Sequence, residues 1–326
     1  MKYVEYPDRI TRRLSYYLAT EEFLARHYPD DEYFFMWQVE PTVIFGRNQL
    51  IENEVNMKYV KENNIQFYRR KSGGGCVYAD MSNIMLSFIT PNFNKDFVFK
   101  TYLDKVVELL KGLGLNAYFS GRNDILIDGL KVSGNAFYQV NHKSVVHGTM
   151  LYNTDLSAMV KAISPDNEKL VSKGIDSVRN RVTNVKDHID ISIEDFKEYF
   201  RNNITDEHIV LTEKDLDMIS KIESTYLKDE FIYGKNPNYT IKRKGKVAAG
   251  VLEISLELKN NIVKKINMLG DYFLIGDTDE FLDVFKNIEF TEAAFKIALD
   301  DIDISEYVYN LNNEDFLQIM FEKHKT

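Results

Sequence analysis

A chain of 326 residues with 44% apolar side chains is long enough for one large domain and a smaller one, each with its own core. Its formal charge of -9 excludes a general nucleic-acid binder, which needs a basic face to displace counterions, so any phosphate site must be locally basic. The single cysteine, Cys76, excludes an internal disulfide framework and a cysteine zinc cluster.

The N-terminal stretch MKYVEYPDRI lacks a charged segment followed by an apolar one, and no run approaches the roughly 18 apolar residues of a membrane span, so the expected location is cytoplasmic. Met1 to Pro7 reads as a short strand. From Thr11 to His27 apolar residues recur at helical spacing (Leu14, Tyr17, Leu18, Phe23, Leu24), with Thr11 placed as a cap and Pro29 just beyond the end. Tyr33 to Gly46 reads as two strands broken at Pro41, and Glu54 to Asn63 as a helix. Ile65 to Tyr68, the loop Arg69 to Asp80, and Ile84 to Ile89 then read as strand, tight loop and strand.

Phe97 to Leu113 has helical period and ends at Gly112 and Gly114. Ile125 to Ile127, the turn pair Asp128-Gly129 and Lys131 to Val140 form an expected hairpin, which puts Lys131 at the start of the return strand. A second hairpin through Asn141 to Ser144 leads to His147-Gly148-Thr149 and a strand from Met150 to Asn153. Helices are expected over Asp155 to Ile163, Ile193 to Asn202 and Thr212 to Leu227. The run Lys173 to Asn184 has neither period, and ordered loops of that length are often functional. Gly234, Pro237 and the basic run Lys242 to Lys246 mark a boundary. The expected domains are 1–235 and 236–326, the second with strands Val251 to Leu258 and Ile262 to Met268 and helices from Thr278, Thr291 and Asn312.

The chemistry concentrates in three places. In Arg69-Arg70-Lys71-Ser72-Gly73-Gly74-Gly75-Cys76-Val77-Tyr78, three glycines let backbone N–H groups converge on an anion, and two guanidinium forks fit phosphate or carboxylate. The spacing is neither GxxxxGK[ST] nor GxGxxG. Lys131 can neutralise charge developing on a phosphate or carboxylate oxygen, or can be a solvated strand end. Asp124 can bind magnesium, orient Lys131 or cap a turn. His147 reads as a strand-end histidine bonded to main chain, with Gly148 marking a close backbone approach. Cys76 has no paired base, so it reads as a small buried residue rather than a nucleophile.

Taken in order, these motifs resemble the bacterial lipoate-protein ligases over nearly the whole chain. The resemblance is carried by Trp37 with Pro41 to Arg47, by Arg69 to Gly75, by Gly121-Arg122-Asn123-Asp124 and Lys131 to Ala136, by His147-Gly148-Thr149, by Lys173-Gly174 through Arg181-Val182-Thr183-Asn184, and by Tyr233 to Pro237 and Gly270 to Phe273. It implies an α+β fold, with a large mixed-sheet catalytic domain of the biotin/lipoyl-ligase kind followed by a small α+β accessory domain. It also implies that lipoate and Mg-ATP give lipoyl-AMP, whose acyl group passes to a lysine of a lipoyl domain, as in glycine-cleavage H protein or 2-oxoacid dehydrogenase E2 subunits. Lys131 is then the catalytic residue. Arg70, Ser72, Gly73, Gly74, Gly75, Cys76, Val77, Tyr78 and Asn123 bind the nucleotide with it; Arg69, Gly74, His147 and Gly148 join it around lipoate; Asp124 is the magnesium candidate.

Three positions depart from the family pattern: Leu50, Ala79 and Val146 stand where asparagine, histidine and histidine are usual. Losing two imidazoles implies an altered active-site rim and a narrower acceptor choice. An octanoyl or lipoyl transferase of the same superfamily is the alternative enzyme, and a non-catalytic lipoate-binding paralog is the alternative from another class.

Overall fold

The computed structural model describes residues 1–49, 51–92, 94–120, 123–163, 181–205, 207–233, 241–259 and 261–321. The expectations on Leu50, Gly121, Arg122, Lys173 to Asn180 and Gly234 to Pro237 lie outside them. Two compact units emerge: Met1–Phe45, Ile51–Arg70 and Cys76–Ile232 form the larger, while Gly46–Leu50, Lys71–Gly75 and Tyr233–Thr326 form the smaller. Where sequence punctuation gives one boundary, the smaller unit also takes in two short loops from the first quarter of the chain.

The larger unit is built on an eight-stranded mixed sheet. Its strands are β1 (Lys2–Glu5), β2 (Tyr33–Trp37), β6 (Asn83–Thr90), β7 (Ala117–Phe119), β8 (Asp124–Ile127), β9 (Leu130–Val140), β10 (Lys143–Leu151) and β11 (Glu207–Val210), in the order β11-β1-β2-β6-β10-β9-β8-β7. Strand β1 runs parallel to β11 and β2, and the other neighbours are antiparallel. Both faces are covered, which is why β2 and β6 read as almost unbroken apolar runs. Phe34, Leu86, Phe88, Phe137 and Val146 face a core with helix α4 (Lys95–Gly112) and helix α6 (Ile193–Ile204). Phe35, Met85, Ile89, Tyr138 and Val145 face the opposite core, with α1 (Leu14–His27) and α7 (Glu213–Tyr226). The short helices α2 (Ile51–Glu54), α3 (Met57–Glu62) and α5 (Leu156–Ile163) lie in this unit with a second sheet, ordered β4-β3-β5, of β3 (Thr42–Phe45), β4 (Gln66–Arg69) and β5 (Val77–Ala79).

Local chemistry sets the ends of these elements. Helix α4 starts two residues before the expected position because the Asn94 side chain accepts the Phe97 N–H. Helix α1 follows Arg13 with no side-chain cap, so Thr11 does not serve as one. Asp128 and Gly129 both take positive φ, 50° and 86°, the geometry of a two-residue type I′ turn, so the expected β8–β9 hairpin forms. The expected strand at Met150 begins at Lys143 instead, and His147 lies mid-strand.

In the smaller unit, strands β12 (Ile241–Val247), β13 (Gly250–Lys259) and β14 (Ile262–Gly270) form an antiparallel sheet, packed with helices α8 (Thr278–Asp283), α9 (Glu292–Ala298) and α10 (Asn313–Phe321). The basic run expected to interrupt the pattern is edge strand β12. Lys242, Lys244 and Lys246 point to solvent on alternate residues, and an edge so charged resists pairing with another chain.

Candidate active site

Lys131 sits one residue into β9 and is fixed from both sides. Its strand pairs with β8, while its N–H donates to the Arg181 carbonyl at 2.8 Å and its carbonyl accepts the Thr183 N–H at 2.9 Å. The described end of the long aperiodic loop therefore acts as a short parallel splint against the lysine. The ammonium lies 2.8 Å from Asp124 Oδ1, with the lysine side chain 37% and the aspartate 29% exposed. Beside this pair, Asn123 and Asn135 bind each other's main chain: each side-chain amide donates to the other's carbonyl at 3.0 Å. Gly148 faces Asn135 across β10, and a Cβ there would come within 2.0 Å of Asn135 Oδ1. The expected backbone approach is present, with the Gly134 carbonyl oxygen 3.0 Å from that Cβ position, but the nearer neighbour is the Asn135 side chain. Asn135 Oδ1 is buried and receives no hydrogen bond.

His147 is held by a buried carboxylate. Its Nδ1 lies 2.9 Å from Glu21 Oε2, and Glu21 also accepts from Ser87 Oγ at 2.6 Å and Tyr138 Oη at 3.2 Å. Ser87 Oγ in turn accepts Trp37 Nε1–H at 2.8 Å. An acceptor-only carboxylate places the ring proton on Nδ1. Glu21→Gln puts a donor where every neighbour also donates, so it should cost about 2 kcal/mol in thermal unfolding. The variant should also change the His147 tautomer signature in nitrogen NMR.

The glycine-rich stretch divides between the units. Within the smaller one, Arg47 N–H donates to the Ser72 carbonyl at 3.0 Å, Gly270 N–H to the Asn48 carbonyl at 3.1 Å, and Gly74 N–H to the Tyr272 carbonyl at 3.0 Å. A Cβ on Gly73 would stand 2.2 Å from the Tyr272 carbonyl oxygen, and Gly74 has φ +88°, whereas Gly75 borders open space. Gly73 and Gly74 are therefore fixed by backbone shape at Tyr272, whereas a Cβ on Gly75 would meet nothing within 4 Å.

Within the larger unit, the Arg69 guanidinium stacks on Phe45, 4.7 Å from its ring centre, and Nε donates to the Ile232 carbonyl at 3.0 Å. Arg70 is buried, with Nη1 donating to the Ile44 carbonyl at 3.2 Å, and loss of hydration pulls its pKa down to about 10. Loss of hydration pushes the Cys76 thiol up to about 12, against the pull of Arg70. Such a thiol is almost wholly protonated at neutral pH and a poor nucleophile.

The chain matches known proteins in sequence and in fold. The Lipoyl protein ligase A/B catalytic domain matches residues 14–205, and the Bacterial lipoate protein ligase C-terminus matches residues 236–320. The chain is 33% identical over 316 residues to lipoate-protein ligase LplJ of Bacillus subtilis, covering 93% of this chain and 96% of that one. It belongs to the lipoate-protein ligases. Plasmodium falciparum LipL1, solved in complex with lipoate, shares the fold over 98% of this chain and 97% of its own, with TM-score 0.77 at 21% identity. A bipartite lipoate protein ligase from Thermoplasma acidophilum, described with its E2 lipoyl domain, gives TM-score 0.65 at 26% identity, covering 74% of this chain and 98% of that chain. A lipoate-protein ligase A bound with ATP gives 0.62 at 25% identity, over 72% and 99%.

In this ligase the expected altered rim is not where Ala79 and Val146 lie. Both are fully buried, Ala79 in the core that holds Ile44 and Trp37, Val146 in the core that holds Phe88 and Phe137. They are packing residues. Gly134 and Asn135 lay within the Lys131 to Ala136 motif without a role of their own, and Glu21 lay outside every motif, although Glu21 carried a signal. It falls on the apolar stripe of Leu14, Leu18 and Leu24, where an unpaired carboxylate would be untenable.

Proposed function

We propose that this ligase activates lipoate with ATP and passes the lipoyl group to a lysine of lipoyl-domain proteins, glycine-cleavage H protein and 2-oxoacid dehydrogenase E2 subunits being the acceptors. The observation that carries the reading is the part-exposed ammonium of Lys131, held in place by backbone on two sides, in a chain matched to these ligases nearly end to end. A lipoate carboxylate oxygen attacks the α-phosphorus and pyrophosphate leaves; an acceptor amine then attacks the acyl carbon of lipoyl-AMP and AMP leaves. Lys131 lets two anions approach each other and stabilises the AMP that departs.

Arg70, Asn123, Ser72 to Gly75 and Cys76 to Tyr78 take the nucleotide by motif, and Arg69, Gly74, His147 and Gly148 take lipoate. The Asp124 carboxylate already has Lys131 as its cation, and no group of three metal-binding side chains occurs among the described residues. They build no magnesium cage of their own, so an ion arriving with ATP would be held chiefly by its phosphates, where it screens their charge. Among the described residues no helix is long and apolar enough to cross a membrane, which accords with a cytoplasmic enzyme.

Pyrophosphate exchange into ATP tests the reading: lipoate or octanoate should support it and biotin should not. Exchange with biotin alone would overturn the assignment. The transferase alternative needs a cysteine nucleophile, and the raised pKa of Cys76 opposes it. Cys76→Ala is accordingly expected to keep at least half of the transfer rate, a margin of about 0.4 kcal/mol in the barrier. A covalent acyl-enzyme seen by mass spectrometry, together with loss of transfer in this variant, would favour the transferase.

A further inference from the structure

We propose that Gly134 and Asp124 are the positioning residues for the Lys131 ammonium, with Gly134 as its seat and Asp124 as its tether. The inference rests on the role given to Lys131 above.

Three independent features of the β8–β9 pair converge on it. The pairing register shifts between Ile125 and Leu126: Leu126 lies opposite Lys131, but Ile125 lies opposite Ser133, so β9 carries one extra residue at Val132. In a regular strand residues three apart point to opposite faces, and one extra residue between them returns them to the same face. Lys131 and Gly134 thus share a face, and Gly134 pairs directly with Asp124.

The second feature is the missing side chain. A Cβ on Gly134 would stand 2.9 Å from both Cε and Nζ of Lys131 and 3.7 Å from Asp124 Oδ1. The lysine therefore folds back over Gly134 to reach the aspartate, and any larger residue there would displace the ammonium. Because the atoms in the way are the far end of a flexible side chain, the fold can absorb the substitution while the charge cannot stay in place.

The third is the character of the ion pair. Nζ lies 2.8 Å from Oδ1. Asp124 fixes where the positive charge sits and takes up one of the three N–H groups that an ammonium offers. The other two remain available for a carboxylate and a phosphate. The same negative charge repels both substrates, so its removal should weaken turnover without weakening binding.

Gly134→Ala, Asp124→Asn and Asp124→Glu, compared with wild type in lipoate-dependent pyrophosphate exchange and thermal melting, test the proposal. Gly134→Ala and Asp124→Asn should each lower kcat by tenfold to a hundredfold, the order expected from misplacing a reacting group by about 1 Å. In Asp124→Asn KM for ATP and for lipoate should stay level or fall, the melting temperature should hold in both variants, and Asp124→Glu should recover much of kcat. Unchanged kcat in both variants would overturn the inference, as would a raised KM at full kcat. Recovery of Asp124→Asn by excess magnesium would overturn it too, returning that carboxylate to the metal. A wild-type protein with no exchange would instead sink the underlying reading, so the two failures are distinct.

Discussion

Lys131→Ala is expected to lower lipoate-dependent pyrophosphate exchange by on the order of 10²–10³-fold, the loss seen when one preorganised charge-stabilising donor is removed from an active site. The fold should survive. The backbone bonds that place residue 131, to Arg181 and Thr183, do not involve its side chain. Asp124 loses its partner but is 29% exposed and can be rehydrated, so the stability change should stay below about 1 kcal/mol. Lys131→Arg sharpens the test: it keeps the charge but brings a longer, planar fork over Gly134, where the lysine's own end atoms already occupy the space. Charge alone would predict near-normal exchange in that variant; charge held at one point predicts a loss almost as deep as alanine's. Exchange in either variant at wild-type rate, in protein that melts normally, would remove Lys131 from the first half-reaction.

The hairpin that carries Lys131 was legible because its signal is local: Asp128-Gly129 between two apolar runs admits a turn with two positive φ values and little else. The bulge beside it was not, since a register shift is set by pairing partners rather than by sequence period. His147 was read as a strand end because Lys143, Ser144, His147 and Thr149 break the apolar pattern of β10. All four are nevertheless buried, and distant segments supply partners for Lys143 and His147. Lys143, for example, donates to the Tyr28 and Pro29 carbonyls at 2.7 and 2.6 Å, and His147 meets Glu21. The triple glycine shows the same limit more sharply. Its anion-loop reading came from neighbours in sequence, whereas the residue that requires glycine at position 73 is Tyr272, about two hundred residues away.

Histidines placed at Ala79 and Val146, as the family pattern would have them, are expected to unfold this chain more readily rather than retune its acceptor choice. Val146 is wholly buried in β10, opposite Phe88 on one neighbour and Phe137 on the other, in a core closed by α4 and α6. An imidazole there adds ring volume to a packed layer, which costs about 1–3 kcal/mol, and carries polar ring nitrogens into an apolar core, which costs about as much again. For Val146→His alone the sum is about 4 kcal/mol, or roughly a 10 °C fall in melting temperature for a unit of this size. Ala79 is as deeply buried, beside Ile44 and Val77, so the double substitution should fall further. Melting curves of both single variants and the double, with pyrophosphate exchange measured well below the transitions, separate the outcomes. A destabilised double variant that still exchanges pyrophosphate at near the wild-type rate fits packing residues. A double variant that melts normally but changes its rates across a panel of acceptors would put these side chains back at the rim. The burial of both positions in apolar layers argues for the first result, because a side chain enclosed by phenylalanine and valine has no path by which to select a partner.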